Sequence, residues 1–226
     1  MPIAKRLLDK LYYRRLRSAA GSTPFAIVSN NCWGAHVYQQ LGLPYSTPFV
    51  GLFLRPACYT TLLGDFDRIV RGELKFVDES RYPDINAKRA AGTKHPIAIL
   101  ADAVEVNFLH EKTEAEARDK WQRRVARMPA DPSRRFYKFC DFDRPSDDAL
   151  RAFDALPLPH KVMFVAKPLD VTSAIFVPSS EDRVPDGMAL QTACLPYFDH
   201  AAWLAGRNSK PGTLYRNIQR GRTRGE

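Results

Sequence analysis

Short apolar runs alternate with helical repeats along this chain of 226 residues. Apolar runs of four to six residues predict strands, whereas apolar positions spaced three and four apart predict helices. Strands are expected at 25–29, 74–77, 96–100, 104–109, 135–139, 162–165 and 173–177. Helices are expected at 3–17, 33–41, 56–71, 114–128, 147–155 and 197–205. This alternation favours a single three-layer α/β/α domain with a mostly parallel or mixed sheet.

Residues that begin or end helices support these boundaries. Thr113 and Glu116 have the spacing of a capping box, and Ser146 precedes the helix expected at 147–155. Gly42 follows the helix at 33–41 as a C-terminal glycine. The segment 78–95 has no clear pattern and is expected to be a loop, and the chain from residue 206 onwards is expected to be frayed.

Charge divides the chain into three parts. Residues 1–20 are expected to form a basic amphipathic helix, 21–206 the α/β domain, and 207–226 a basic tail. The whole chain has 34 basic and 25 acidic residues and a net charge of +9. The N-terminal helix has two interpretations, a peripheral contact with an anionic membrane or a helix docked on the domain. No nucleic-acid partner is expected, because no RNA-binding, zinc-finger or helix-turn-helix motif accompanies the charge.

The cysteines and the absence of targeting patterns indicate a reduced, cytoplasmic protein. A second interpretation places this protein peripherally at the inner membrane. Four cysteines are widely spaced and form no CxxC pair, so no metal site is expected. The first residues lack the apolar stretch of a signal peptide, and no segment approaches the roughly 20 apolar residues of a membrane span.

The turn between the strand 25–29 and the helix 33–41 is the first candidate site. It contains Asn30, Asn31, Cys32 and Trp33. Unpaired N–H groups at a helix N-terminus suit a phosphate, a carboxylate or a thiolate, so Cys32 should have a lower pKa than a free cysteine. The alternative is a structural turn with an inert thiol.

Two histidines are candidate partners for chemistry. His36 lies four residues after Cys32, so the two could share a helix face and form a nucleophilic pair, although His36 could also simply pack on the helix surface. His110 leaves the strand 104–109 and is placed to act as an acid or base, with Glu111 or Glu114 holding its tautomer. Asp102 precedes the same strand and is a second acidic candidate, or the aspartate of a turn.

Charged residues elsewhere offer two further candidates. Arg123 and Arg124 lie on the long helix, where they could bind a phosphate or a carboxylate, or form a solvated face. Asp141 and Asp143 follow the strand 135–139, where they could bind a cation or a sugar hydroxyl, or shape a turn. No HExxH, GxSxG, Walker or GxGxxG motif is present, so the residues alone define no sharp reaction.

An ordered series of motifs resembles a bacterial family labelled exopolysaccharide biosynthesis protein. The opening Ser-Asn-Asn-Cys-Trp-Gly at 29–34 carries the resemblance, with Tyr38 and the stretch 41–53. Later stretches at 82–83, 102–110, 114–117 and 121–124 are similar too, so the match covers roughly residues 25–205. The resemblance implies an α/β three-layer fold and a role in building or modifying a surface polysaccharide.

The first turn is also similar to the Gly-Asn-Cys-Gln opening of capsule-polysaccharide acetyltransferases that bind coenzyme A, although it differs at Ser29-Asn30 and at Trp33. This likeness implies acyl transfer from a coenzyme A thioester to a carbohydrate or nucleotide sugar, with no other cofactor required. The donor would lie near Asn31 and Cys32. The alternative is a non-catalytic carbohydrate-binding or assembly component of a polysaccharide pathway.

An acyl-transfer role assigns each candidate a task. His110 would take the proton from a sugar hydroxyl, and Cys32 would be a nucleophile or a close donor. Asn30 or Asn31, with a backbone N–H of the first helix, would stabilise the oxyanion. Arg123 or Arg124 would hold a phosphate.

Overall fold

A computed structural model describes residues 3–92 and 94–223, so the outermost residues of the expected N-terminal helix and C-terminal tail lie outside the described part. The strands are β1 (Ala26–Ser29), β2 (Leu74–Val77), β3 (Ile97–Leu100), β4 (Val104–Asn107), β5 (Arg135–Cys140), β6 (Lys161–Val165) and β7 (Ala174–Phe176). The helices are α1 (Ile3–Ala20), α2 (Trp33–Leu41), α3 (Pro56–Gly64), α4 (Phe66–Val70), α5 (Pro83–Ala90), α6 (Glu114–Arg127), α7 (Asp147–Ala155), α8 (Gly187–Ala193), α9 (His200–Leu204) and α10 (Thr213–Thr223).

Two separate sheets form the frame of the domain. The larger sheet has four parallel strands in the order β1-β5-β6-β7, and the smaller is antiparallel with the order β2-β3-β4. The expectation of an α/β domain with a mostly parallel sheet is therefore confirmed. The separation into two sheets is a further finding. An isolated bridge between Phe53 and Asn107 ties the loop after α2 to the end of β4.

Alternate residues of the parallel strands face two different cores. Val28 and Phe139 face the core that also contains α3, α6 and the antiparallel sheet. Ile27 and Phe136 face the core beneath α1, α2 and α9. Because successive side chains of a strand point to opposite faces, the parallel sheet is buried on both sides, as its continuous apolar strands require.

Several sequence signals act as expected. Glu116 N donates to Thr113 Oγ1 at 3.2 Å, and Ala149 N donates to Ser146 Oγ at 3.2 Å, so both predicted N-caps are confirmed. Gly42 ends α2 in the left-handed conformation, with a φ of 66°. Within residues 3–92 and 94–223, no helix has the length and apolar character needed to cross a bilayer.

Three other expectations are wrong, and for two of them the cause is the same. The segment 78–95 contains α5, the expected helix 56–71 breaks at Asp65, and the expected frayed tail contains α10. Of the described side chains, α5 buries only Ile85 and α10 only Gln219. A helix that buries so little places few apolar side chains in the core, so the pattern of the sequence gives little signal for it.

Gly34, in the turn motif, provides a stability test of how α2 packs on β1. A methyl group at Gly34 would lie 2.7 Å from Ile27 Cγ2, whereas nothing lies within 4 Å of one at Gly64. We expect Gly34→Ala to lower the free energy of unfolding by about 1–3 kcal/mol, because overpacking shifts the helix from the strand. The control Gly64→Ala should change it by less than about 1 kcal/mol. Urea denaturation measures both, and equal effects would contradict this packing.

Candidate active site

A thiol and an imidazole meet beside the carboxyl end of β1. Cys32 is the residue before α2, and its Sγ lies 3.7 Å from His110 Nε2. His110 comes three residues after the end of β4 and is exposed. Cys32 is half-buried, whereas Cys58, Cys140 and Cys194 are buried. The structure therefore joins the two residues that the sequence assigned to separate candidates.

A glycine in the loop after α2 allows this approach. Gly51 has a φ of 76°, and a methyl group there would lie 3.2 Å from His110 Cβ and 3.4 Å from Glu111 Oε1. Its carbonyl accepts a hydrogen bond from His110 N at 3.1 Å. A side chain at position 51 would therefore disturb both the backbone conformation and the position of His110.

The pKa of Cys32 is raised, not lowered. Burial is the largest cause, and the carboxylate of Asp186 adds to it, while the Gly51 N–H and the Lys138 charge act in the opposite direction. The expectation of an easily ionised cysteine is therefore wrong, because desolvation outweighs the helix N-terminus. At neutral pH the resting group is a thiol, and a base must take its proton as it reacts.

Alkylation tests this protonation state. We expect iodoacetamide to modify Cys32 before the three buried cysteines, yet more slowly at neutral pH than it modifies a free cysteine. Because only the thiolate reacts, the rate should keep rising with pH beyond the range in which a free cysteine levels off. Peptide mass spectrometry identifies the site, with Cys32→Ala as the control. A rate that levels off near neutral pH would contradict a raised pKa.

A buried lysine lies at the centre of the polar groups next to this pair. Lys138 is on β5 and is fully buried. Its ammonium donates to Asn31 Oδ1 at 2.8 Å, to Cys140 Sγ at 3.0 Å and to Asn30 Oδ1 at 3.3 Å. Since the neighbouring strands are parallel, the ends of β1 and β5 meet at one edge, and Lys138 links them.

The two predicted asparagines have different roles. Asn31 accepts from Lys138 and from Trp33 N, and its amide donates to Asp186 Oδ1 at 2.7 Å. Its hydrogen-bonding groups are therefore occupied within the protein, which makes it a positioning residue. Asn30 is also buried, but its Nδ2 has no hydrogen-bond partner. An unused buried donor is rare, so of the two asparagines Asn30 is the one whose amide keeps a donor that no protein atom uses.

The two aspartates after β5 also have different roles. Asp141 accepts from Ala166 N and from Val184 N, each at 2.7 Å, so it shapes the turns that follow the strands. Asp143 instead has a buried Oδ2 without a hydrogen-bond partner. Burial raises the pKa of Asp143, and the nearby Asp186 adds to the effect, while Lys138 opposes it. Of the two, only Asp143 keeps an oxygen free for a ligand.

Trp33 is a core residue, contrary to the expectation that it contacts a ligand. Its side chain is wholly buried. Its ring lies 5.4 Å from that of Phe164 and is stacked at 5.4 Å on that of His200. The Lys138 ammonium lies 5.9 Å from the ring centre, so the Trp33 ring stabilises this buried charge by a cation–π contact.

Two other predicted residues do not join the pair. His36 Nδ1 lies 3.1 Å from Gln39 Oε1, so this imidazole forms a hydrogen bond within α2 rather than with Cys32. Asp102 is exposed in the turn between β3 and β4, and it pairs with Lys75 at 2.8 Å. This turn is at the opposite end of β4 from His110, so Asp102 takes the turn role that the sequence left open.

The predicted arginines have partners in the protein. Arg123 is exposed and pairs with Asp119 at 2.7 Å, one turn away on α6. Arg124 donates to Val50 O at 2.9 Å, and its guanidinium lies 5.4 Å from the Tyr45 ring. It therefore fixes the loop that carries Gly51, and neither arginine is placed as a free phosphate ligand.

Sequence reasoning missed Lys138, Asp186 and Gly51 as parts of the site. For Lys138 a signal exists, since after Arg135 the apolar run 136–140 is interrupted by one cation, Lys138, which lies between two aromatic residues. A lysine within a central strand is almost never buried without a specific set of partners. Asp186 precedes a short helix in a polar segment and has no such signal.

The fold and the site define an α/β protein with a thiol–imidazole pair at the carboxyl edge of a parallel sheet. A family model described as a domain of unknown function, DUF1919, matches residues 3–205, and the chain belongs to this family. An uncharacterized protein of Haemophilus influenzae is 32% identical over 155 residues, which cover 69% of this chain and 68% of the relative.

Proposed function

We propose that the protein is an acyltransferase that moves an acyl group from a thioester, such as acyl-coenzyme A, to a hydroxyl of a carbohydrate or nucleotide sugar. The product would belong to the synthesis of a surface polysaccharide. The observation that carries the proposal is the 3.7 Å approach of Cys32 Sγ to His110 Nε2. A cysteine beside an imidazole is a nucleophile with its base in place.

The reaction has two balanced halves. Cys32 Sγ attacks the thioester carbonyl carbon while His110 takes the thiol proton, the carbon–sulfur bond of the donor breaks, and His110 returns the proton to the departing thiol. A sugar hydroxyl then attacks the acyl carbon on Cys32. His110 takes the hydroxyl proton and delivers it to Cys32 Sγ as the second carbon–sulfur bond breaks.

Two buried groups support the substrates in this proposal. The free Nδ2 of Asn30 is the donor for the carbonyl oxygen, which gains negative charge during each attack. The free Oδ2 of Asp143 is an acceptor for a sugar hydroxyl.

The donor's phosphates need cations other than the two predicted arginines. Arg55 has a buried Nε without a hydrogen-bond partner, and both Arg55 and Lys88 lie close enough to Asp143 to affect its pKa. Arg55 also pairs with Asp84 and packs over the Tyr82 ring at 5.1 Å. Arg55 and Lys88 are therefore better placed than Arg123 and Arg124 to bind an anionic group next to Asp143.

Turnover and binding together test this proposal against the non-catalytic alternative. With acetyl-coenzyme A and a panel of nucleotide sugars and oligosaccharides, we expect release of coenzyme A thiol that increases when a suitable acceptor is present. Acetyl-coenzyme A should also raise the melting temperature, because a ligand that binds only the folded state stabilises it. A melting temperature raised by an oligosaccharide alone, with no thiol release from any donor, would favour the assembly component.

A further inference from the structure

Exposed apolar side chains concentrate on the first and last helices. Among the described residues, half of the exposed large apolar side chains belong to α1 and α10. They are Leu7 and Leu11, with 57% and 50% of the side chain exposed, and Leu214 and Ile218, with 75% and 37%. Each pair is spaced four residues apart, so each forms a strip on one helix face. Strips of this kind indicate an interaction surface.

The two helices pack against each other on the same side of the domain. Their contact includes the Arg15 guanidinium, which lies 5.3 Å from the Tyr215 ring. The inner face of α1 is fixed to the domain by the buried Tyr12, Leu16 and Ala20. The expected docking of this helix on the domain therefore occurs, and it leaves the Leu7–Leu11 strip outside.

The positive charge of the protein is concentrated in α1 and in the segment 205–223, which contains α10. Residues 3–20 have six basic side chains and one acidic side chain, and residues 205–223 have five basic and none acidic. These segments contribute +10 to a chain whose net charge is +9, so the rest of the protein is close to neutral. The positive charge therefore belongs to the two terminal segments of the chain and not to the domain between them.

Basic and apolar rows run side by side on α1. Arg6, Lys10 and Arg14 follow one another at intervals of four and are exposed, as are Leu7 and Leu11 in the next row. Cations beside exposed leucines match an anionic bilayer, whose phosphates attract the cations and whose acyl boundary accepts the apolar side chains. A nucleic-acid surface would give the leucines no apolar partner, so the leucines favour lipid.

We propose that the outer faces of α1 and α10 form a docking surface for an anionic phospholipid bilayer. The helices lie along the membrane surface, with the leucines at the headgroup boundary and the basic side chains among the phosphates. This surface goes beyond the proposed acyl transfer and does not depend on it.

Vesicle sedimentation of the full chain tests the surface. We expect binding to vesicles of phosphatidylcholine mixed with phosphatidylglycerol, little binding to phosphatidylcholine alone, and release by high salt. The triple variant Arg6→Gln, Lys10→Gln, Arg14→Gln should weaken binding about 100-fold. The double variant Leu7→Ser, Leu11→Ser should weaken it about tenfold or more. All substitutions are at exposed positions, so circular dichroism melting should show an unchanged fold.

Matched variants on other faces provide the control. Arg68→Gln, Lys94→Gln, Arg151→Gln removes three exposed cations elsewhere, and Phe176→Ser, Met188→Ser removes two exposed apolar side chains. Both should bind vesicles as the unaltered protein does. The proposal is overturned by equal binding to neutral vesicles, by no vesicle binding, or by α1 variants that bind normally. A fluorescent RNA oligonucleotide bound through the Arg6 row without lipid binding would likewise contradict it.

Discussion

Cys32→Ala is expected to lower kcat/KM for acyl transfer by about a thousandfold or more, with no large change in the melting temperature. Removal of a covalent nucleophile eliminates the whole two-step route and leaves only the contribution of substrate binding. Cys32 is half-buried, and its Sγ contacts are weak, at 3.7 Å to His110 and 4.0 Å to Leu52 O. Its loss should therefore affect turnover far more than stability.

His110 provides the companion measurement, with His36 as its matched control. His110→Ala should also remove most turnover, because the raised pKa of Cys32 leaves a thiol that cannot react without a base. His36→Ala removes a partly exposed imidazole whose hydrogen bond is to Gln39 on its own helix, so the variant should remain near full activity. Since the two groups act as a unit, the double variant Cys32→Ala, His110→Ala should be no worse than Cys32→Ala. Losses that multiply would contradict a shared step.

Lys138→Met is expected to lower the free energy of unfolding by about 3–5 kcal/mol. Methionine has a similar volume, so the change removes the ammonium with little cavity. The Oδ1 atoms of Asn30 and Asn31 then lose their charged donor, and the Asp143 carboxylate loses a nearby opposite charge in a buried setting. The loss of the ammonium's charge-assisted hydrogen bonds inside the core accounts for most of the expected loss.

Urea denaturation measures this effect, with Lys167→Met as the control. Lys167 is exposed after the end of β6, so its replacement should change the free energy of unfolding by less than about 0.5 kcal/mol. If Lys138→Met is as stable as the unaltered protein, the polar groups at the ends of β1 and β5 are not organised by the ammonium.

Apolar runs and capping residues in the sequence predicted much of the secondary structure. The apolar runs identified β1, β5 and β6 because these parallel strands are buried on both faces. Thr113, Ser146 and Gly42 marked their helix ends correctly. Strand pairing was not predictable in this way. Nothing local shows that β2, β3 and β4 form a sheet of their own, because strand pairing depends on contacts distant in sequence.

The sequence predicted where the site lies, but not how its residues meet or in which protonation state Cys32 rests. The turn at Asn30–Asn31–Cys32 follows a buried strand, which is where α/β sheets hold ligands, and His110 was identified at its own strand end. That these meet depends on the loop through Gly51, which lies far from His110 in sequence. The pKa of Cys32 was expected in the wrong direction because burial and Asp186 become visible only in three dimensions.

Intact-mass spectrometry after incubation with acetyl-coenzyme A, without any sugar acceptor, tests whether Cys32 and His110 form the reaction centre. We predict a mass increase of one acetyl group, located on Cys32 by peptide mapping, absent from Cys32→Ala, formed far more slowly by His110→Ala and discharged when an acceptor is added. An acetyl group on a lysine instead, or no adduct in a preparation that transfers acetyl groups to sugar, would contradict a covalent role for Cys32.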